Sequence, residues 1–233
     1  MGAVAMDTTL KQTWGIYQVY IGKKLVMVAS GVVLVLYIFG HLAGNLQIYM
    51  GPARLNAYAA FLHSHPGPLW IARTVMLAAV GLHGWSSFLL WLEKRRARPI
   101  GYVKKDDVPA SYASRTMMWS GPILGAFVVF HILHLTTGSV PGLGFRESEQ
   151  EQFFAYQNVV NGFQHPAVAI AYVVAIVLLS MHLYHGLWSM FQSVGISHRR
   201  YTPLLKRAAH VVAILVAAGY ISIPLCVTIG LVK

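Results

Sequence analysis

The stretch AIVLLSMHLYHGLWSMFQ, residues 175–192, sets His182 and His185 three positions apart inside an otherwise apolar run. Isolated imidazoles recur at His41 in VLYIFGHLAGNL, at His83 in MLAAVGLHGWSS, and at His131 and His134 in GAFVVFHILHLTTG. A neutral imidazole can ligate a transition metal, exchange hydrogen bonds at two nitrogens, or carry a proton. In apolar surroundings such a group is costly, so it reads either as functional or as a bridge between helices. Zinc or a di-iron pair would usually call on thiolates or carboxylates as well. The apolar runs contain no Asp or Glu away from Glu93 at a boundary, and the chain has one cysteine, Cys226. That lone thiol reads as a small buried hydrophobe, and it excludes a self-contained iron–sulfur cluster, a structural zinc site and CxxCH attachment of haem.

The elements that must carry these histidines follow from composition. The 233 residues are 56% hydrophobic and 11% charged, with a mean hydropathy of +0.56. A chain so apolar belongs in a membrane. A hydrocarbon core about 30 Å thick takes roughly 20 apolar residues per helix. Five runs qualify, at about 24–46, 69–92, 116–138, 166–191 and 208–231. They predict an all-α integral membrane protein, one domain over 1–233, with no internal repeat and no low-complexity tract. The opening MGAVAMDTTLKQTWGIYQVY has no apolar core of the signal-peptide kind, so nothing reads as cleaved. The connections GPARLNAYAAFLHSH and GFRESEQEQFFAYQNVVNGFQHP read as two short interfacial helices.

A net charge of +11 raises nucleic acid as a partner, but its distribution argues against that. Of 18 Lys and Arg, 3 precede or open the first run (Lys11, Lys23, Lys24), 7 lie in 93–115, and 4 lie in the fourth connection (Arg199, Arg200, Lys206, Arg207). With five spans these segments share one side, and the positive-inside rule makes that side cytoplasmic. The N-terminus is then cytoplasmic and the C-terminus external, in a multi-pass protein of the inner, cytoplasmic membrane. The basic face suits anionic lipid or a soluble partner.

Orientation gives each histidine a depth. His41 lies about 17 residues past Lys24, roughly 25 Å along an outward helix, and His131 lies about 16 residues past Arg115 on another. His83 lies about ten residues before Glu93, and His182 about ten before Gln192, each roughly 15 Å from the inner end of an inward helix. Two levels, each with two histidines from different helices, suit bis-axial ligation of two haems and electron transfer between them. Gly44, Gly138 and Gly186, near the histidine faces, would admit a flat macrocycle or simply pack helices closely.

The motifs KKLVMVASGVVLVLYIFGHLAGNLQIYM, LHGWSS, ARPIGY, SRTMMWSG, FHILHLTTG and HGLWSMFQSVG resemble the five-helix cytochrome b subunit of succinate dehydrogenase or fumarate reductase. More narrowly, they resemble its single-subunit dihaem anchor, over nearly the whole chain. The resemblance implies two haem b groups, a flavoprotein and an iron–sulfur protein docked on the cytoplasmic face, and electrons exchanged with a membrane quinone, usually menaquinone. Either direction of electron flow fits, as does a higher oligomer of the whole complex. Succinate chemistry would belong to the partner subunits.

Carried over by position, the resemblance puts the axial ligands of the outer, distal haem at His41 and His131, and those of the inner, proximal haem at His83 and His182. His134 and His185 fall beside ligands and suit propionate, quinone or interhelical hydrogen bonds. Arg115 suits a propionate of the inner haem and Arg73 one of the outer haem, although either arginine could instead snorkel to the interface. Ser30, Lys24, Arg115 and Trp119 are quinone-site candidates near the inner face, and Asn45, Gln47 and His63 near the outer. Where some relatives carry a glutamate linked to proton transfer, this chain has Ser180. His63, His65, His165, His198 and His210 read as solvated or interfacial. Two other readings fit the residues: a dihaem anchor of another dehydrogenase, such as a hydrogenase or formate dehydrogenase, and a haem-free transporter that uses histidines for protons.

Overall fold

The structure is a computed structural model, and it describes residues 19–97, 112–148 and 152–233. Proline and glycine set many of the element boundaries. Helix α1, Tyr20–Asn45, tightens into a 3-10 turn over Leu46–Met50, and Gly51 then breaks the chain at φ 90°. Pro52 opens α2, Pro52–His63, and Pro66 opens α3, Pro66–Arg96. Helix α4, Tyr112–His131, passes into a π-helical turn over Ile132–Thr136. Then come α5, Ala155–Phe163, α6, Pro166–Ser193, and α7, Thr202–Thr228. A proline in the first turn forfeits no helical hydrogen bond and has its φ preset.

Five of these segments are long and apolar enough to cross a membrane: Tyr20–Met50, Pro66–Arg96, Arg115–Thr136, Pro166–Ser193 and Thr202–Thr228. Each overlaps one expected run. The differences lie at the ends, where hydropathy stops but backbone hydrogen bonding continues. Helix α3 extends past Leu92 to Arg96, and α7 starts at Thr202 rather than 208, taking Lys206 and Arg207 into its early turns. The two connections expected to be interfacial helices contain α2 and α5.

Helices α1 and α3 pack antiparallel, with a Lys23–Glu93 ion pair joining the start of one to the end of the other. Helices α6 and α7 form a second antiparallel pair, in which the Ser180 hydroxyl donates to the Ala213 carbonyl at 3.1 Å. Helix α4 lies along α6, and the Tyr220 hydroxyl ties α7 to α1 by donating to the Ile38 carbonyl at 2.8 Å. By contrast, α1 and α4 share at most marginal backbone contact, and so do α3 and α6. Beyond the His41 level, α2 and α5 close the bundle. Ile48, Leu55, Tyr156, Val160, Phe163, Tyr172, Ile223 and Val227 form one apolar cluster there. The Tyr156 backbone N–H donates to Asn56 Oδ1 at 2.9 Å, locking the two short helices together.

Candidate functional site

The four histidines expected at two depths meet as two pairs. His41 of α1 faces His131 of α4 with ring centroids 5.6 Å apart and planes at 46°. His83 of α3 faces His182 of α6 at 6.1 Å and 59°. Each pair reaches across helices whose backbones are not packed together. His83 sits level with Met27, and Met27 and His41 are 14 residues apart in α1, so the two levels are separated by about 21 Å.

The hydrogen bonds define which nitrogen each ring has to spare. His83 Nδ1 lies 3.1 Å from the Met27 carbonyl, an acceptor, so Nδ1 carries the proton and Nε2 the lone pair. His131 Nδ1 lies 3.2 Å from the Tyr172 hydroxyl, and His182 Nδ1 is at a long 3.5 Å from the Ser120 hydroxyl. The Asn45 side-chain N–H group, one turn on, donates to His41 Nδ1, which places the proton of the neutral His41 ring on Nε2. In all four rings the δ nitrogen is the one engaged. A metal-bound histidine donates from its second ring nitrogen, as His83 does to Met27; the Tyr172 and Ser120 hydroxyls can accept in the same way from His131 and His182, whereas at His41 the Asn45 amide oxygen would have to replace its nitrogen.

The donor set discriminates among metals. Among the described residues no three His, Cys, Asp or Glu side chains gather as a metal site; the histidines come in twos. A porphyrin supplies four equatorial nitrogens itself and asks the protein for two axial ones. Two imidazoles on opposite sides of one metal, each bonded at about 2 Å, have ring centres about 6 Å apart. Both pairs lie close to that spacing. Tyr37 and Tyr220 stand edge-on to His41 at 5.3 and 6.0 Å, and Phe127 lies 6.1 Å from His131. An added Cβ on Gly31 would sit 3.4 Å from the His83 ring.

Two of the three glycines named for close approach lie against aromatic side chains, and the third faces open space. Gly44 lies against the Tyr58 ring, where a Cβ would come within 2.8 Å. Gly138 turns the chain at φ 66° beneath Phe145. Nothing lies within 4 Å of a Cβ on Gly186.

The remaining candidates are dispersed. Ser30 is buried, but its hydroxyl donates into its own helix, at 2.7 Å to Val26 and 3.1 Å to Met27. Lys24 lies over the Tyr20 ring at 4.7 Å, and Trp119 is 74% exposed. Arg115 is exposed at the start of α4, while Arg73 is half-buried with its guanidinium 4.9 Å above Trp70. His185 packs edge-on to Trp188 at 5.5 Å, and both His185 Nδ1 and Trp188 Nε1 are buried without a hydrogen-bond partner. Asn45 is spent on His41, and His63 Nδ1 bonds the Ala59 carbonyl at 2.8 Å.

Sequence reasoning passed over Tyr172 and Ser120. Tyr172 precedes His182 by ten residues, about 15 Å of helix, which puts its hydroxyl at the other histidine level. A buried tyrosine hydroxyl needs a partner, and that was the available signal. Compared with protein-family models, with characterised proteins and with solved structures, the chain matches none.

Proposed function

We propose that this chain is the dihaem cytochrome b anchor of a succinate:quinone oxidoreductase, passing electrons between an iron–sulfur partner subunit and a membrane quinone. The observation that carries the haem reading is the pairing of His41 with His131 and of His83 with His182, with the δ nitrogen of every ring engaged. The succinate and quinone parts rest on the resemblance of the GHLAGNL and HGLWS neighbourhoods.

Bound between each pair, haem b supplies one-electron oxidation and reduction. Met27, Tyr172 and, more weakly, Ser120 hold Nδ1 of His83, His131 and His182, which would leave Nε2 of each ring for the haem iron. The surrounding helices are apolar enough to cross a membrane, where hydrocarbon would keep water from both levels. Lys94, Arg95, Arg96, Arg199 and Arg200 are exposed near the His83 and His182 end, where they would meet the acidic surface of soluble subunits and bring their electron carrier close to the inner level.

The test is to purify the tagged chain from its own membranes and record the reduced-minus-oxidised spectrum, with succinate and then dithionite as reductant. A haem b band that succinate partly develops, with a flavoprotein and an iron–sulfur protein copurifying, is the expected result. A band reduced by hydrogen or formate instead would move the anchor to another dehydrogenase. No haem band at all would leave the transporter reading.

A further inference from the structure

The Tyr172 hydroxyl lies between two imidazoles, 3.2 Å from His131 Nδ1 and 2.9 Å from His134 Nδ1. One hydroxyl has one proton, so it can donate to only one of them, and the other must donate to it. The proton order therefore couples the tautomers of the two histidines. If His131 Nδ1–H donates to Tyr172, the tyrosine donates to His134 Nδ1 and His131 keeps a lone pair on Nε2. In the opposite order His131 carries its proton on Nε2 and has nothing to offer a metal there.

His134 is otherwise hard to explain. It is 2% exposed, and its Nε2 has no hydrogen-bond partner. Phe130 stacks on it at 5.6 Å and Phe163 stands edge-on at 6.4 Å. Gly162 packs so closely on the ring that an added Cβ would collide with it. A leucine would fill this apolar niche without leaving a buried nitrogen unsatisfied, so the imidazole needs a reason. At the inner level His83 meets a backbone carbonyl and His182 a distant hydroxyl, and among the described residues no second histidine extends either contact into a relay.

Resting on the haem reading above, we propose that Tyr172 and His134 are positioning residues for His131. They form a one-way hydrogen-bond relay, His131 to Tyr172 to His134, that holds His131 in its ligating tautomer and strengthens it as a donor to the outer haem. A strong acceptor at Nδ1–H raises ligand basicity and favours ferric iron, so the relay lowers the outer haem's potential.

The test uses the full chain assembled with its partner subunits, with redox titration, low-temperature electron paramagnetic resonance and haem retention read for each haem separately. Tyr172→Phe keeps the ring and removes the relay. It should raise the outer haem's midpoint potential, shift its resonance and weaken its retention roughly 10- to 100-fold, leaving the inner haem as it was. His134→Leu should act in the same direction, while His134→Gln, whose amide oxygen accepts a hydrogen bond, should return toward the parent. Unchanged potential and retention in Tyr172→Phe, equal shifts in both haems, or no difference between His134→Gln and His134→Leu would each overturn the relay. A parent chain without haem would instead overturn the function on which the relay rests.

Discussion

His41 and His131 approach to a ring separation of 5.6 Å although α1 and α4, which carry them, scarcely touch. The rings span a gap between helices, so a small ligand should be able to replace one of them. His41→Gly should lose the outer haem and regain it when imidazole is added at millimolar concentration. The visible spectrum with and without imidazole reads this directly. Recovery with imidazole but not with a bulky analogue of equal basicity is expected; full haem retention without imidazole would remove His41 from the ligand set.

Helix pairing can be tested at the Lys23–Glu93 contact. Lys23 is nearly buried, with a side chain 11% exposed against 33% for Glu93. Glu93→Ala removes the carboxylate that joins the two helix ends, and it should cost about 2 kcal/mol and lower the thermal midpoint in detergent. Replacing both, Lys23→Met with Glu93→Leu, should recover much of that loss. A double variant less stable than Glu93→Ala would show that the lysine is held mainly by other contacts.

Topology is tested by labelling. In a Cys226→Ser background, a cysteine placed at Lys94 should react with an impermeant thiol reagent only from the cytoplasmic side, and one at Ser139 only from outside. Labelling of both positions from the same side would break the assignment of inner and outer levels.

The basic end should matter for assembly. Arg96→Gln combined with Arg199→Gln and Arg200→Gln should weaken retention of the soluble subunits, and more so as salt is raised. Arg95 is left in place because its guanidinium lies 4.8 Å over Trp91 and contributes packing. Arg98, a third arginine of the same cluster, lies outside the described residues. Retention that is unchanged at every ionic strength would assign these charges to lipid and topology.

Much of this architecture is legible in the sequence because hydropathy and helical rise are one-dimensional quantities. Counting residues from Lys24, Glu93, Arg115 and Gln192 assigns the depths of His41, His83, His131 and His182, and depth alone selects the pairs that meet. The contacts that orient the rings are not legible in that way. Tyr172 serves His131 from another helix, and the Met27 carbonyl serves His83 through backbone that carries no sequence signal. The π-helical turn at Ile132–Thr136 likewise follows from local hydrogen bonding, with Thr137 N–H reaching the Ile132 carbonyl at 3.0 Å. For glycines, the sequence identifies close approach without naming the partner, which at Gly44 is the Tyr58 ring.

Ligation by the two histidine pairs is decided by haem per polypeptide, measured as the pyridine haemochrome with partner subunits present, in the parent, His131→Ala, His182→Ala and His185→Ala. Ligation by the two pairs predicts about two haems in the parent and in His185→Ala, and about one in each of His131→Ala and His182→Ala, with different haems lost. Two haems retained in both His131→Ala and His182→Ala, or one lost in His185→Ala with both retained in His182→Ala, would contradict it.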